Sequence, residues 1–380
     1  MTLPLFRMSR IKSWFFTRGR IVEGCDGVRF FEAPRHPYSR ALLKSLPSIE
    51  EKRKLSPIAG HAPPVNARNS GCVYKERCDF SQPACGVEPL LTEQKQDTGH
   101  LARCHFPQTA SMQTQPILLA PKERLAARDE PLLTIQGLSA FYGNLQVLKD
   151  INLEVQGGQC LAIVGESGSG KSTLSRCLVG LHHNWGGQIR LSGTSVAPSS
   201  SRRDSDQRRR IQYVFQNPYG SLNPRQTVGA SIAVAVEHFS GGRREQVNAR
   251  VRAALERVSL PSHYANRYPN ELSGGEKQRV VAIARGLVCS PDILVCDEVT
   301  SALDVSVQAA IVELLRSLMD DGLGIVFVTH NLAVVRSLSD RVAVLDAGLI
   351  VEAGETGTVM DCPTAAYTKH LMAHTLEMKP

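Results

Sequence analysis

From residue 131 onwards, short β-branched apolar runs alternate with longer segments of helical periodicity. Apolar runs of strand length lie at 132–138, 149–155, 160–164, 211–215, 292–296, 324–329 and 341–345, and helical segments at 171–180, 244–258, 276–288, 306–319 and 331–338. This alternation is typical of an α/β fold built around a mostly parallel sheet. The first 130 residues contain frequent prolines and few long periodic runs, which predicts an irregular extension.

The composition divides the chain into four parts. We predict an N-terminal extension at 1–107, a linker at 108–130, the α/β domain at 131–355 and a C-terminal helical extension at 356–380. The segment GRIVE at 19–23 matches GLIVE at 348–352, and Pro34, Tyr38 and Leu42 match Pro363, Tyr367 and Leu371, always 329 positions apart. The constant offset predicts that 1–107 is the C-terminal remnant of a preceding copy of the domain, whose body would precede Met1.

A complete phosphate-binding loop, G-x-x-x-x-G-K-[ST], follows the apolar run at 161–164 and opens a helical segment. It consists of Gly165, Glu166, Ser167, Gly168, Ser169, Gly170, Lys171, Ser172 and Thr173. Glycines allow backbone N–H groups to close around phosphates, and the helix N-terminus favours an anion. Lys171 is predicted to reach the β- and γ-phosphates and Ser172 to hold Mg²⁺. A chance Gly/Ser loop is the alternative that this spacing disfavours.

Two further motifs add carboxylates and a second glycine pair. The apolar run at 293–296 ends in Asp297 and Glu298, which predicts a Mg²⁺ ligand, direct or through water, and a group that polarises the attacking water. Ser273, Gly274 and Gly275 begin a helical segment, where hydroxyl and N–H groups can face an anion. By itself the second motif is equally consistent with an ordinary helix cap.

Composition excludes several classes of protein. The 380 residues carry a net charge of +8, and no apolar run approaches the length of about 18 residues that a membrane span needs. No signal peptide is recognisable, which predicts a cytoplasmic chain. The basic stretch at 202–210 also contains Asp204 and Asp206 and lacks interleaved aromatic residues, so we interpret it as a solvated loop and expect no nucleic-acid partner.

Taken in order, these motifs resemble the ATP-binding-cassette family of ATPases. Residues 272–276 resemble its signature motif, Gln216 its Q-loop glutamine, 301–304 with Asp304 its D-loop, His330 its switch histidine, and Tyr142 the aromatic residue that stacks on adenine. Glu276 stands where the family usually has Gln, and Val299 where it commonly has Pro. The resemblance implies a P-loop NTPase cassette with a mixed sheet core and a helical signature subdomain, ATP hydrolysis with Mg²⁺ held by Ser172, Gln216 and Asp297, and catalysis by Glu298, His330 and Lys171.

Two segments narrow the resemblance to oligopeptide and dipeptide importers. Residues 214–225, VFQNPYGSLNPR, resemble the Q-loop sequence of that subfamily, and 34–40, PRHPYSR, resemble its C-terminal H-P-Y element. The resemblance implies a fused double ATPase without its first catalytic domain. It also implies integral-membrane permease subunits as partners, an indirect substrate-binding protein, a location on the inner face of the membrane, and peptides or similar small solutes as cargo.

Because each site in this family joins the phosphate loop of one cassette to the signature of another, the chain would need a second copy of itself or a separate ATPase chain. The second arrangement is the more natural one for an ancestor with two different halves. An inactive truncated remnant and a soluble cassette ATPase without a transport role are the alternatives.

Four cysteines, Cys72, Cys78, Cys85 and Cys104, fall close together in the extension. Their separations differ from zinc-ribbon and ferredoxin spacings, so four unrelated thiols and a metal site are equally consistent with the spacing. In some peptide-importer ATPases a similar arrangement holds a [4Fe–4S] cluster. Zinc, with His100 or His105 as a substitute ligand, is the alternative metal. The remaining cysteines in apolar patterns, among them Cys25 and Cys296, are interpreted as buried structural residues.

Overall fold

The N-terminal part contains an antiparallel sheet and two helices. The computed structural model describes residues 12–60, 70–94, 97–107, 130–216, 222–272, 274–301 and 303–374, so the predicted linker lies outside it except for residue 130. The elements are β1 Lys12–Thr17, β2 Arg20–Asp26, α1 Gly27–Glu32, α2 Pro37–Ser45, β3 Thr92–Gln94 and β4 Asp97–Ala102, in the sheet order β1-β2-β4-β3. This part is more regular than the sequence predicts, because β2 pairs with β4 across some 80 residues and such distant pairing has no local signature.

The second part contains the predicted α/β domain. Its first elements are β5 Leu133–Tyr142, β6 Leu145–Val155, β7 Cys160–Val164, α3 Lys171–Leu178, β8 Trp185–Leu191, β9 Thr194–Ser195, α4 Ser205–Arg210, β10 Ile211–Val214, α5 Val228–Phe239 and α6 Arg244–Arg257. They are followed by α7 Gly274–Leu287, β11 Ile293–Asp297, α8 Val305–Asp320, β12 Gly324–Val328, α9 Leu332–Leu338, β13 Arg341–Asp346, β14 Leu349–Glu355, α10 Thr356–Asp361 and α11 Ala366–Ala373. Every strand and helix that the sequence predicts in this part is present.

A six-stranded sheet in the order β10-β11-β12-β7-β13-β14 forms the centre, and every pair is parallel except β13 with β14. An antiparallel sheet, β6-β5-β8-β9, lies beside it. Strands β7, β11 and β12 are buried along their whole length, which explains their continuous apolar sequences. Because β7 and β11 are both parallel members of this sheet, their carboxyl ends lie at the same edge, where the phosphate loop and the two carboxylates follow.

Residues 46–58 form a strap that connects the N-terminal sheet to the α/β domain. Leu55 is only 1% exposed and packs into the apolar core formed by α5, α6, α7 and α8. Its backbone N–H donates to Oε1 of Glu313 on α8 at 3.1 Å, and Nζ of Lys52 donates to the carbonyl of Ser339 at 3.1 Å. The strap is therefore held by apolar burial and by polar contacts together.

The sequence repeat is also a structural repeat. The elements β1, β2, α1 and α2 begin 329 positions before β13, β14, α10 and α11 respectively. In each copy a glutamate on the second strand accepts two backbone N–H bonds from the start of the following helical segment. The donors are Arg35 and His36 to Glu23, and Thr364 and Ala365 to Glu352. The same carboxylate therefore fixes the same turn twice in one chain.

The basic stretch at 202–210 is more ordered than the solvated loop that the sequence predicts. Residues 205–210 form α4, and Arg203 is 4% exposed, with its guanidinium donating to the carbonyls of Cys177 and Leu178 at the end of α3. Arg210 pairs with Asp292. These arginines thus serve helix capping and ion pairing. Among the residues described above, no helix combines the length and the apolarity that crossing a bilayer requires.

Candidate functional site

The phosphate loop runs from the end of β7 to the start of α3 and depends on its glycines. Gly165, Gly168 and Gly170 all have positive φ, a region that other residues rarely adopt. A Cβ atom on Gly165 would lie 2.1 Å from the carbonyl oxygen of Leu345, so no other residue fits there. The ammonium of Lys171 donates to the carbonyls of Gly165 and Glu166 at 2.8 and 2.7 Å. Its pKa is lowered by burial, against the opposing effect of Glu298 and Asp297.

Asp297 lies at the end of β11 and is 4% exposed. The hydroxyl of Tyr213, on the neighbouring strand β10, donates to its Oδ2 at 2.6 Å. Its Oδ1 is buried and accepts no hydrogen bond from the described protein atoms. A carboxylate oxygen that is buried without a donor fits a divalent cation or a cation-bound water, since buried polar atoms are otherwise paired.

The sequence did not indicate a role for Tyr213. The available signal was a tyrosine in the short strand that leads to Gln216. Burial raises the pKa of its hydroxyl, and the bond to Asp297 raises it further, so the phenol stays protonated and fixes the orientation of the carboxylate.

Glu298 brings three of the predicted motifs together. Nε2 of Gln216 donates to its Oε2 at 2.7 Å, and Nδ1 of His330 lies 3.3 Å from its Oε1. The backbone of Glu298 is left-handed, with φ of 48°, which is unusual for a non-glycine residue and is often found at functional sites. Its N–H donates to the carbonyl of Val328, which ties the residue to β12. The side chain is therefore held between Gln216 and His330.

The remaining predicted nucleotide residues lie around this centre. Tyr142 ends β5, is 46% exposed, and packs its ring against His182 at 4.5 Å between centroids. Asp304 caps α8 by accepting the N–H of Val307 at 3.1 Å, so its carboxylate has a structural role here. Gly274 and Gly275 begin α7, whereas Ser273 lies outside the described residues. Ser172 and Thr173 form the first turn of α3.

The structure brings the four clustered cysteines to one cavity. Cys72, Cys78, Cys85 and Cys104 line it, together with Tyr74, Phe80 and His105. Burial raises the pKa of Cys72, Cys78 and Cys104, the last to about 11, and the neighbouring thiols contribute in the same direction. Neighbouring thiols disfavour each other's ionisation because their thiolates repel. A bound cation would compensate that negative charge, so such a group of thiols is typical of a metal site.

The separation of the sulfurs bears on which metal would fit. Among the described residues, the only His, Cys, Asp or Glu trio with ligand atoms all within 4.8 Å of one another is Glu23, Cys25 and His100. No three of the four cavity sulfurs are therefore that close. A tetrahedral zinc ion with Zn–S distances of about 2.3 Å would hold its sulfurs about 3.8 Å apart. The four sulfurs are therefore not arranged around a single zinc ion in this structure.

The histidines considered as zinc ligands lie in different places. Nε2 of His100 is 2.7 Å from Oε1 of Glu23, so His100 is occupied in a buried pair and is not among the residues that line the cysteine cavity. The Glu23 carboxylate also accepts two backbone N–H bonds, which explains the trio as a structural polar network. His105 does line the cysteine cavity, with Nε2 bonded to the carbonyl of Val87.

Two family models match the chain. Residues 148–301 match the family described as ABC transporter, and residues 22–85 match the C-terminal region of oligopeptide/dipeptide transporters. A protein of Brucella abortus described as a peptide import ATP-binding protein is 46% identical over 230 residues, covering 60% of this chain and 69% of the relative. One of Brucella ovis with the same description is 41% identical over 250 residues, covering 64% and 78%.

Solved structures share the fold. A component of an ABC transporter complex from Clostridium perfringens matches with a TM-score of 0.55 and 24% identity, over 62% of this chain and 92% of that one. A dimeric ATP-binding cassette bound to ADP and phosphate, in a post-hydrolysis state, matches with a TM-score of 0.52 and 29% identity, over 59% and 98%.

Proposed function

The chain belongs to the family of peptide import ATP-binding proteins, which are ATP-binding-cassette ATPases, and on that premise we propose that it energises an importer of peptides or similar small solutes. The observation that carries the proposal is the convergence of Gln216 and His330 on Glu298, at the sheet edge where the phosphate loop begins. An isolated phosphate loop would serve many reactions, but this arrangement serves hydrolysis of a terminal phosphate.

Each of these side chains has a defined task in hydrolysis. The ammonium of Lys171 turns from the loop carbonyls to the β- and γ-phosphates and neutralises their charge. Glu298 accepts a hydrogen bond from the attacking water and polarises it. His330 contacts the γ-phosphate, and Gln216 links the site to the segment that leads into α5. Tyr142 supplies an exposed aromatic face for the adenine ring.

The residues present fit Mg²⁺. Oδ1 of Asp297 is buried and accepts no hydrogen bond from the described protein atoms, as expected for an oxygen that binds a metal ion. Ser172, on the first turn of α3, and Gln216 complete the proposed set of ligands. Bound Mg²⁺ would neutralise charge on the phosphates during transfer.

The proposed assembly contains two cassettes and a membrane permease. Ser273, Gly274 and Gly275 of one cassette would face the phosphate loop of the other, as in the dimeric cassettes that this fold resembles. The partner is a second copy of the chain or, as the more natural arrangement, a separate ATPase chain. The complex would sit on the cytoplasmic face of the membrane, with integral-membrane permease subunits and, indirectly, a substrate-binding protein that selects the solute.

The N-terminal part is proposed to descend from the C-terminal end of another cassette. The support is the 329-residue offset, which holds for the starts of four elements and for the glutamate that fixes the turn in each copy. In this proposal residues 1–107 correspond to the C-terminal extension of that copy, and the cysteine cavity belongs to it.

We further propose that Cys72, Cys78, Cys85 and Cys104 hold a [4Fe–4S] cluster. The support is that all four line one cavity and that no three of their sulfurs lie within 4.8 Å of one another, as ligands of a single zinc ion would. Four thiolates are the usual ligands of such a cluster. When bound, it would cross-link the loops at 72–85 to the segment after β4.

Metal analysis distinguishes a [4Fe–4S] cluster from a single zinc ion and from free thiols. Protein purified anaerobically is expected to contain about four iron and four sulfide ions per chain. Cys85→Ser should lose most of the iron because the thiolate is a ligand. Cys362→Ser, which changes an exposed cysteine outside the cavity, should keep it. One zinc ion per chain, or the same iron content in both variants, would contradict the proposal.

Uptake measurements test the transport role. Cells that lack the gene are expected to lose accumulation of the labelled peptides that this system carries, and the wild-type chain should restore it. Labelled maltose serves as the control solute, since it should enter at an unchanged rate. Peptide uptake that is unaffected across a panel of two- to seven-residue peptides would remove peptides as the cargo.

A further inference from the structure

A tyrosine of the C-terminal helix contacts the phosphate loop. Tyr367 is the second residue of α11, and its hydroxyl accepts the backbone N–H of Glu166 at 3.0 Å. The two residues are separated by 201 positions, so the contact is created entirely by the fold. Neither the phosphate-loop motif nor the repeat that matches Tyr367 to Tyr38 indicates it by itself.

The contact falls on the peptide group against which the catalytic lysine rests. The carbonyl of Gly165 and the N–H of Glu166 belong to the same peptide unit. Nζ of Lys171 donates to that carbonyl at 2.8 Å, while the N–H donates to Tyr367. The unit is therefore held on one side by the lysine and on the other by the C-terminal helix, which sets its orientation when the lysine turns to phosphate.

The helix that carries Tyr367 is itself fixed. The carboxylate of Glu352 on β14 accepts N–H bonds from Thr364 and Ala365, just before α11 begins. Burial raises the pKa of Glu352, but the hydrogen bonds that its carboxylate accepts outweigh it and lower the pKa to about 2. The carboxylate thus stays ionised and holds the turn at physiological pH. Through it, β14, α11 and the phosphate loop form one connected unit.

From this geometry we propose that Tyr367 is a positioning residue for the nucleotide site, and that the C-terminal helix tunes the affinity of the phosphate loop for ATP. The inference deepens the proposed ATP site and rests on it. Tyr367 does not touch the phosphates in this role. It restrains the Gly165–Glu166 peptide so that the loop keeps its shape when Lys171 leaves the carbonyls.

The structural repeat provides a matched control. Tyr38 is the counterpart of Tyr367, 329 positions earlier, on α2. Its ring packs edge-on against Tyr74 with 5.5 Å between centroids, beside the cysteine cavity. Tyr38→Phe therefore removes a hydroxyl from the same motif without changing the loop contact.

The test compares Tyr367→Phe with Tyr38→Phe in the full chain. Tyr367→Phe is expected to raise the Kd and the KM for ATP about 2- to 10-fold, the range for one net hydrogen bond. The kcat should stay within about twofold, because Glu298 and His330 are untouched. Hydrogen exchange at the Glu166 amide should become faster. Tyr38→Phe should leave all of these unchanged.

Two outcomes would overturn the inference. One is an unchanged Kd and an unchanged exchange rate in Tyr367→Phe, and the other is an equal change in Tyr38→Phe, which would reveal a general loss of stability. Lys171→Ala, measured in parallel, separates this failure from failure of the proposed site. If Lys171→Ala binds ATP with wild-type affinity, the proposed nucleotide site itself is wrong. If Lys171→Ala loses affinity as expected while Tyr367→Phe has no effect, only the role of the helix contact is rejected.

Discussion

Glu298→Gln is expected to reduce ATP hydrolysis about 10²- to 10⁴-fold while ATP binding is retained, because removal of a group that polarises water typically costs that much. Glutamine keeps the size of the side chain and one carbonyl oxygen, so the bond from Gln216 can persist. The variant should therefore hold ATP without turning it over. Light scattering in the presence of ATP is then expected to show a doubled mass if the chain pairs with itself, and an unchanged mass if it needs a different ATPase chain.

Glu256→Gln is the matched control for this measurement. It makes the same substitution on an exposed position of α6, so its turnover should equal that of the wild type. Steady-state phosphate release and isothermal titration with ATP provide the two readouts. Undiminished hydrolysis by Glu298→Gln would show that another group polarises the water.

Lys171→Ala should weaken ATP binding about 10- to 100-fold, since a charge-assisted bond to phosphate contributes about 1.5–3 kcal/mol. Lys171 is 7% exposed and its ammonium donates to the loop, so alanine also leaves the carbonyls of Gly165 and Glu166 without this donor. A lower melting temperature is expected together with the affinity loss. Titration calorimetry with ATP and a thermal melt measure the two effects separately.

The control for this variant is Lys149→Ala, which removes a lysine from an exposed position of β6 near the loop. It tests whether a general loss of positive charge accounts for the change. Equal weakening in both variants would argue that long-range electrostatics, and no direct contact, sets the affinity. ATP binding at wild-type strength in Lys171→Ala would exclude this loop as the nucleotide site.

The α/β domain was predictable because its signals are local. The continuous apolar runs of β7, β11 and β12 and the glycines of the phosphate loop follow from backbone chemistry at single positions. Helix α5 was missed because its sequence, VGASIAVAVEHF, is dominated by apolar and β-branched residues and lacks a polar face to mark helical periodicity. The N-terminal sheet was missed because its strands are short and its central pair, β2 with β4, joins residues some 80 positions apart.

The residues of the candidate site were predictable where they belong to sequence motifs. Glu298 was identified from the apolar run that ends in two carboxylates, and Gln216 and His330 from the resemblance. In the structure Gln216 and His330 each contact Glu298. Tyr213 and Tyr367 were not given contacts with the site, because each reaches it through packing between elements distant in sequence. Hydroxyls that orient other groups leave no spacing pattern, since any neighbouring element can provide them.

The strap at 46–58 has a mechanical consequence. Leu55 is inserted among the helices of the α/β domain, and its N–H is bonded to Glu313 on α8, whose capping residue Asp304 lies six positions after Glu298. The cysteine-bearing part is thus attached to α8, the helix that follows Glu298 in the chain. A displacement of α8 would therefore be transmitted through Leu55 to the N-terminal part, because the same strap joins both.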